Sequence, residues 1–419
     1  MQINTGSMEK LTKAKEALEE LLIYRELQKK PLFLELSYFL ASPEENCYRF
    51  FSYLAKRAAA ETPVLEDLWQ NFSLQEILSA ENLFTLSAEG GKVTECLAEV
   101  AAHDWQRLEE LVKLDVSALV PQLPSLRGLV EPKIPTTPFE ELMLSFQKAE
   151  NWATKLPRLI DFYNCYGAGL ACRHWAFVWD GELRGISRPE ESDLAELVGL
   201  ERQKELLLAN TKQFLQNLPA NCVLLHGARG TGKSSLVKAV SCLLADRGLH
   251  LVEVAKEDLQ TLPALLSLLG SRNAKFIIFI DDLSFEEQET NYKALKAVLE
   301  GSVAGRPANI LIYATSNRRH LVVESFRERE EIHGSDTIHE KLSLSDRFGL
   351  HLTFPSLDQD EYLQIVEHLA RSLPISHEEL MRRALAWERK SSGRSGRLAQ
   401  QFVQALAGEL GIGSGHQGR

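Results

Sequence analysis

The chain has 419 residues, 44% hydrophobic and 25% charged, a mix that supports more than one packed core and excludes intrinsic disorder as the main state. Its 47 basic and 58 acidic residues leave a formal charge of −11, which argues against broad nonspecific nucleic-acid binding as the main activity. No apolar run approaches the ~20 residues of a membrane helix, and MQINTGSMEK lacks the basic-then-apolar pattern of a signal peptide, so a cytoplasmic protein without membrane association is expected.

Length suggests about three domains. Residues 1–120 read as a helical N-terminal domain. In MEKLTKAKEALEELLIYRELQKK, Leu11, Ala14, Leu18, Leu21 and Leu22 recur at helical spacing. EENCYRFFSYLAKRAAA and KVTECLAEVAAHDWQRLEELVKL share that character, and these faces read as a bundle core that carries packing, not chemistry. Residues 121–173 follow as a Pro-rich linker (Pro121, Pro124, Pro132, Pro135 and Pro138) and a helix from Phe139 to about Tyr163. In HWAFVWDGELRGI, residues 174–186, bulky residues alternate around Asp180–Gly181, which predicts a β-hairpin. From Leu197 onward short apolar runs alternate with helices, the pattern of an α/β sheet with crossover helices. The Gly-rich residues 411–419 read as a disordered tail. Cys47, Cys96, Cys165, Cys172, Cys222 and Cys242 form no C-x-x-C and have no His at zinc-ligand spacing, so they read as reduced, mostly buried thiols.

Gly227-Ala228-Arg229-Gly230-Thr231-Gly232-Lys233-Ser234 fits G-x-x-x-x-G-K-[ST] at every position. The apolar run Cys222–Leu225 before it predicts a buried parallel strand, and Ser234–Ala245 a helix. A loop between those elements presents backbone N–H groups and a helix N-terminus to phosphate. Gly227 through Ser235 are therefore expected to bind a nucleotide, with Lys233 at the β- and γ-phosphates and Ser234 on Mg²⁺. The bland alternative, a chance Gly-rich turn, fits that context poorly. Further on, KFIIFIDDLSFEE predicts a second buried strand, Phe276–Ile280, ending in Asp281–Asp282. Asp281 is expected to hold Mg²⁺, through water because this ion dehydrates reluctantly. Asp282 is expected to orient or deprotonate the attacking water; it also reads as a helix N-cap, and Glu286 and Glu287 are nearby alternatives.

Other segments carry a resemblance. NILIYATSNRRH (309–320) is a strand with a polar end, KLSLSDRFGLHLTFP (341–355) holds an arginine in a Ser-Asp-Arg-Phe-Gly setting, and GRSGRLAQQFVQAL (393–406) holds arginines at a helix start. With LVGLERQKELL before the loop, the chain resembles the AAA+ ATPases over about residues 174–407. FIDDLSFEEQETNYKALKAVLEG and YATSNRRHL look most like an uncharacterised bacterial AAA+ family of ATP-binding proteins of unknown function. The resemblance implies an α/β fold with a P-loop AAA+ core, a parallel five-stranded sheet with helices on both faces, over residues 174–356 with the leading hairpin. A helical lid over 357–410 and the all-α N-terminal domain complete it.

The implied roles follow. Asn317 matches the sensor 1 residue, with Thr315 and Ser316 as near alternatives. Arg347 matches the arginine finger given to a neighbouring subunit's ATP, where it would stabilise charge on the transferred phosphoryl group. Arg397 matches the lid's sensor 2 arginine, with Arg394 as the alternative. Val198 and Gly199 match the segment lining the adenine. Each arginine also reads as a surface ion pair. Lys233, Asp282, Asn317 and Arg347 are thus the expected catalytic set, with ATP and Mg²⁺ as cofactors and a homo-oligomeric ring or spiral as the working form. The N-terminal helical domain is expected to bind an unidentified protein partner.

The sequence departs from the family's pattern in one place. The usual motif ends Asp-Glu and this one ends Asp281–Asp282, so slow or partner-dependent hydrolysis, or an ATP-dependent switch, is the competing expectation. The strand HLVEVA runs into KEDLQTLPALLSLL without the aromatic pore loop of threading machines. The short connection EGSVAGRPA leaves no room for an inserted hairpin, so the core looks minimal, nearer initiators and loaders. The basic stretch RRALAWERKSSGRSGR, residues 382–397, could meet nucleic-acid phosphates. A solvated lid face is the favoured reading, because the chain is acidic overall.

Overall fold

A computed structural model of the chain describes residues 5–119, 125, 127–190, 192–284, 291–300, 306–317, 344–390 and 393–412. Pro121 and Pro124, Glu286 and Glu287, residues 318–343 and the tail beyond 412 lie outside the described residues. Two compact units emerge, Met1–Arg173 with Arg272–Ala274, and His174–Ser271 with Lys275–Arg419. No helix among the described residues is long and apolar enough to cross a membrane.

The first unit is helical: α1 (Thr5–Glu19), α2 (Pro31–Ala41), α3 (Pro43–Ala60), α4 (Leu68–Leu78), α5 (Leu83–Glu89), α6 (Glu95–Val112), α7 (Val116–Leu119), α8 (Pro138–Gln147) and α9 (Leu156–Tyr166). Its core is rich in aromatics, with Trp69, Trp105, Trp152, Phe33 and Phe50 fully buried. Leu11, Ala14, Leu18 and Leu21 join it as their spacing predicts, but Leu22 is 58% exposed. The reason is local. α1 ends at Glu19, and the next turn is pinned by the buried Asp104 of α6, whose carboxylate accepts from the Leu22, Ile23 and Tyr24 N–H groups at 2.7–3.1 Å.

The single helix expected from Phe139 to Tyr163 is two. A Thr137–Glu140 capping box with Pro138 at the first turn starts α8. The chain then breaks, and Trp152 donates its backbone N–H to Glu109 at 2.8 Å and its indole N–H to Phe146 O at 2.9 Å. Pro157, which lacks an N–H, sits in the first turn of α9, where none is needed. Phe139, Leu142, Phe146 and Leu159 belong to the same core as the earlier helices.

Within this unit Glu89 is 2% exposed and accepts from Arg272 Nε and Nη2 at 3.1 and 2.7 Å, Asn273 N at 2.9 Å and Ala168 N at 2.8 Å. Burial works to raise its carboxyl pKa, but the Arg272 hydrogen bonds and charge, with the backbone donors, outweigh it and hold the group below the ordinary glutamate value. Removing one partner of a buried pair strands the other, so Glu89→Ala is expected to lower stability by about 3–5 kcal/mol, read in urea unfolding. The folded carboxyl titrates below the unfolded one. Its contribution is therefore complete above about pH 4.3 and is lost as pH falls through the folded value. Equal acid sensitivity of wild type and Glu89→Gln would count against this assignment.

The second unit contains β1 (Ala176–Trp179), β2 (Leu183–Gly185), α10 (Glu201–Leu215), β3 (Val223–Gly227), α11 (Lys233–Ala245), β4 (Leu249–Val254), α12 (Leu262–Gly270), β5 (Lys275–Ile280), α13 (Asn291–Glu300), β6 (Ile310–Ser316) and β7 (Leu350–Phe354). Three more helices follow, α14 (Gln359–Leu369), α15 (His377–Glu388) and α16 (Gly396–Glu409). The sheet order is β2-β1-β4-β5-β6-β3-β7. This corrects the expected five-stranded parallel sheet: five strands from β4 to β7 are parallel, but the sheet has seven and is mixed. The hairpin turns at Asp180–Gly181 and adds both strands, β1 running parallel to β4. The apolar β1, AFVW, is largely buried, and an apolar edge is stable only when covered.

Alternate strand residues pack on opposite faces. Val223, Leu225, Ile277, Phe279, Leu311 and Tyr313 share one core with Leu207 of α10 and Leu236 and Val240 of α11. Helices α14–α16 pack around Tyr362, Val366, Ala384, Ala399 and Phe402 as a separate core. The six cysteines are free thiols, with Cys47, Cys172 and Cys222 buried.

Candidate functional site

Three parallel strands deliver their C-terminal ends to one place. β3 runs into the loop before α11, Asp281 follows the end of β5 and Asn317 the end of β6, with β6 between the other two. Ligands gather at such strand ends in open α/β sheets. Asn317 thus stands between the loop and the acids, and its amide reaches both. Its Oδ1 accepts from Lys233 Nζ at 3.1 Å, and its Nδ2 donates to Asp282 Oδ1 at 2.5 Å. Ser234 Oγ donates to Asp281 Oδ1 at 2.5 Å.

Thr315, offered by sequence only as a sensor alternative, seats the acid pair. Its hydroxyl donates to Asp281 Oδ1 at 2.5 Å, and the Asp282 N–H donates to that hydroxyl at 2.9 Å. Ser316 is fully buried and does not line the cavity. Asp282 has φ +51, a left-handed conformation in which Asp is several-fold enriched among non-glycine residues. The departure from Asp-Glu therefore falls where the backbone favours the shorter acid.

Lys233 is 7% exposed. Its ammonium donates to Gly227 O at 3.0 Å and Ala228 O at 2.6 Å as well as to Asn317. Burial holds its pKa below the ordinary lysine value, opposed by Asp282 and Asp281 and reinforced by Arg229. Two loop glycines are needed for shape. Gly230 has φ +71, and a Cβ there would lie 2.8 Å from Ser395 Cβ; Gly232 has φ +88, and a Cβ would lie 3.2 Å from Leu200 Cδ1. The start of α16 meets the loop directly, with Gly396 N donating to Gly230 O at 2.8 Å.

A cavity of about 630 Å³ opens over these groups. Arg229, Gly230, Thr231, Gly232, Lys233, Ser234 and Ser235 line it with Asp281, Asp282, Thr315 and Asn317. Leu197, Val198, Leu200, Leu357, Ile365 and Leu369 are its apolar lining. Gly199, φ +77, makes the turn between Val198 and Leu200 without lining the space. Gly227 and Ala228 do not line it either; their carbonyls hold Lys233. Arg397 lines the cavity, whereas Arg394 Nε lies 3.0 Å from Glu388. Ser395 caps α16 and so puts Arg397 in its first turn.

Arg347 is not in this cavity. It ends the short turn Ser345–Arg347 before β7 and is exposed. The register sets Val223 beside Leu350 and Gly227 beside Phe354. At ~3.3 Å per residue, β7 alone carries the chain about 13 Å away from the loop end of the sheet. Sequence reasoning missed Glu190, Ser192, Glu196, Lys238 and Gln400, which also line the cavity. Lys238, one turn after Ser234, pairs with Glu190 at 3.1 Å. That helical spacing was readable, but nothing local to Glu190 marked it.

The residues fit a magnesium nucleotide. Ser234 and Asp281 offer adjacent hard oxygens, and no group of three or more His, Cys, Asp or Glu residues that could hold a metal forms among the described residues. Mg²⁺ needs no such cage, since it keeps waters and substrate phosphates. The apolar lining suits a base, and the loop suits phosphates.

A family model described as a protein of unknown function, DUF815, matches residues 172–410. No curated protein matches the chain. Among solved structures, the RuvB Holliday junction branch migration motor of Thermotoga maritima is 16% identical, covering 52% of this chain and 72% of that one with TM-score 0.33. Two point variants of the same RuvB are 17% identical, with TM-scores of 0.38 and 0.39. They match over 54% of this chain, which spans about two thirds, 66% and 67%, of theirs.

Proposed function

We propose a function from one premise: the chain belongs to the DUF815 family of proteins of unknown function, and its chemistry is to be read from its own site. On that reading it is an ATPase of the AAA+ type, acting in the cytoplasm as a ring or open spiral. ATP lies between the loop Gly227–Ser235 and helices α14–α16. The observation that carries this is the Asn317 amide, joined at once to Lys233 and Asp282. One side chain thereby links the phosphate cation to the acid that handles water.

Each residue then has a task. Lys233 leaves the loop carbonyls and neutralises the β- and γ-phosphates. Ser234 and Asp281 hold Mg²⁺, which supplies positive charge to the phosphate oxygens. Asn317 orients the attacking water, and the Asp282 carboxylate accepts its proton. Arg397 contacts phosphate from the lid. Arg347 enters the site of the neighbouring copy, because its own lies at the far end of β7. The helical unit recognises the protein partner that hydrolysis remodels. Arg382, Arg383 and Arg394 pair with Glu379, Glu409 and Glu388, which supports a solvated lid face over a nucleic-acid surface.

Asp282→Asn tests the assignment. Turnover of MgATP is expected to fall by about 10²–10⁴, with ATP affinity retained. Unchanged turnover would move the role to another acid. The short Asp282 carboxylate, held by Asn317, also favours a second reading, an ATP-dependent switch with little turnover. Robust multiple turnover by the isolated protein excludes it.

A further inference from the structure

Two kinds of group line the cavity, apolar side chains and the polar groups of the loop and the strand ends. Gly232 lies against Leu200, 3.2 Å from where its Cβ would be, with Leu197 next to it. Val198, Ile365 and Leu369 add further apolar lining to the cavity, and the base of a nucleotide is assigned to these apolar groups. The Lys233 ammonium is bonded at once to Gly227 O, Ala228 O and Asn317. The first residues of the loop are therefore beside Asn317 and Asp282. Arg229 follows Ala228 directly, is exposed, and lines the cavity. A triphosphate with its base on the apolar groups and its β- and γ-phosphates at Lys233 would bring its last phosphate beside these first loop residues.

The other cations of the cavity have different places. Lys233 lies in the first turn of α11, Lys238 pairs with Glu190 at 3.1 Å, and Arg397 belongs to the lid. Resting on the ATPase reading above, we propose that Arg229 contacts the terminal phosphate within its own subunit and is the residue by which this site distinguishes ATP from ADP. An arginine suits the task because its planar fork matches two phosphate oxygens. A diphosphate ends one group short and leaves the guanidinium in water, so the contact contributes to ATP affinity alone. Such a difference between two ligands is what lets a nucleotide shift a conformational equilibrium. The neighbouring residue, Gly230, is the one whose carbonyl the lid holds through Gly396, so the reading of the terminal phosphate occurs beside the lid contact.

The test is calorimetric titration of the full-length protein with Mg²⁺ and either ADP or the non-hydrolysable β,γ-imido analogue of ATP. Wild type, Arg229→Ala and Arg229→Lys are compared. Arg229→Ala is expected to weaken the triphosphate analogue by roughly tenfold to a hundredfold and to leave ADP affinity in place, which also shows that the variant is folded. Arg229→Lys keeps the charge without the fork and is expected to fall between. An unchanged ratio of the two affinities in Arg229→Ala overturns the proposal, as does equal weakening of both nucleotides. Failure of wild type to bind either nucleotide overturns the underlying ATPase reading instead, and the wild-type titrations alone reveal it.

Discussion

Lys233→Ala is expected to weaken ATP by at least about a hundredfold, since a charge-assisted contact to each of two phosphates is lost, and to weaken ADP by less, through the β-phosphate contact alone. The structure explains why no neighbour replaces it. Lys233 is buried between loop and strand end, while Arg229 is exposed and Lys238 is engaged by Glu190. The same ammonium ties Gly227 O and Ala228 O of the loop. The variant therefore also loses loop order, and a small drop in melting temperature is expected with it. A pH dependence follows from the depressed Lys233 pKa. Phosphate binding favours the charged amine, so the bound pKa lies higher. ATP affinity then falls as pH rises through the depressed free value and is unaffected well below it. Titration of wild type with ATP between neutral and alkaline pH checks the sign; affinity rising with pH would contradict the assignment.

Arg347→Ala is expected to retain nucleotide binding and to lose turnover by about 10³–10⁵, the contribution of an arginine supplied to a phosphoryl-transfer site. The sheet register carries this expectation. The turn holding Arg347 precedes β7, and the phosphate loop follows the other end of its neighbour β3. No rotamer changes which end of the sheet the residue occupies, which is why the proposed target is the site of another copy. A mixture of Lys233→Ala and Arg347→Ala is then expected to hydrolyse ATP faster than either variant alone. At a mixed interface an intact Lys233 meets an intact Arg347. A mixture as inactive as its parts would argue that Arg347 supports folding of its own chain.

The site was legible where chemistry is contiguous in sequence. The loop declares itself through glycines and a lysine in one run, and the Asp281 and Asn317 positions through an apolar strand followed by a polar residue. What stayed hidden depends on contacts across the sheet or between distant segments. Thr315 seats both acids only because β6 lies beside β5. Ile365 and Leu369 look like ordinary core positions of an amphipathic helix, yet they line the cavity. Arg394 and Arg397 are separable only once Ser395 is seen to cap α16. The fold shows the same division. Helical spacing found the first core but overran the end of α1 to Leu22, because a buried Asp104 from α6 decides that turn. Alternation found the hairpin but could not say that β1 would extend the sheet alongside β4.

The claim on which the account rests is an ATPase site completed by a neighbouring copy. The direct measurement is steady-state ATP hydrolysis per protomer, with Mg²⁺, across a wide range of protein concentration. The account predicts a rate per protomer that rises with concentration and then saturates as copies assemble, with Arg347→Ala flat near zero throughout. A rate per protomer that is constant from the lowest concentration, in a protein that stays monomeric, would contradict it.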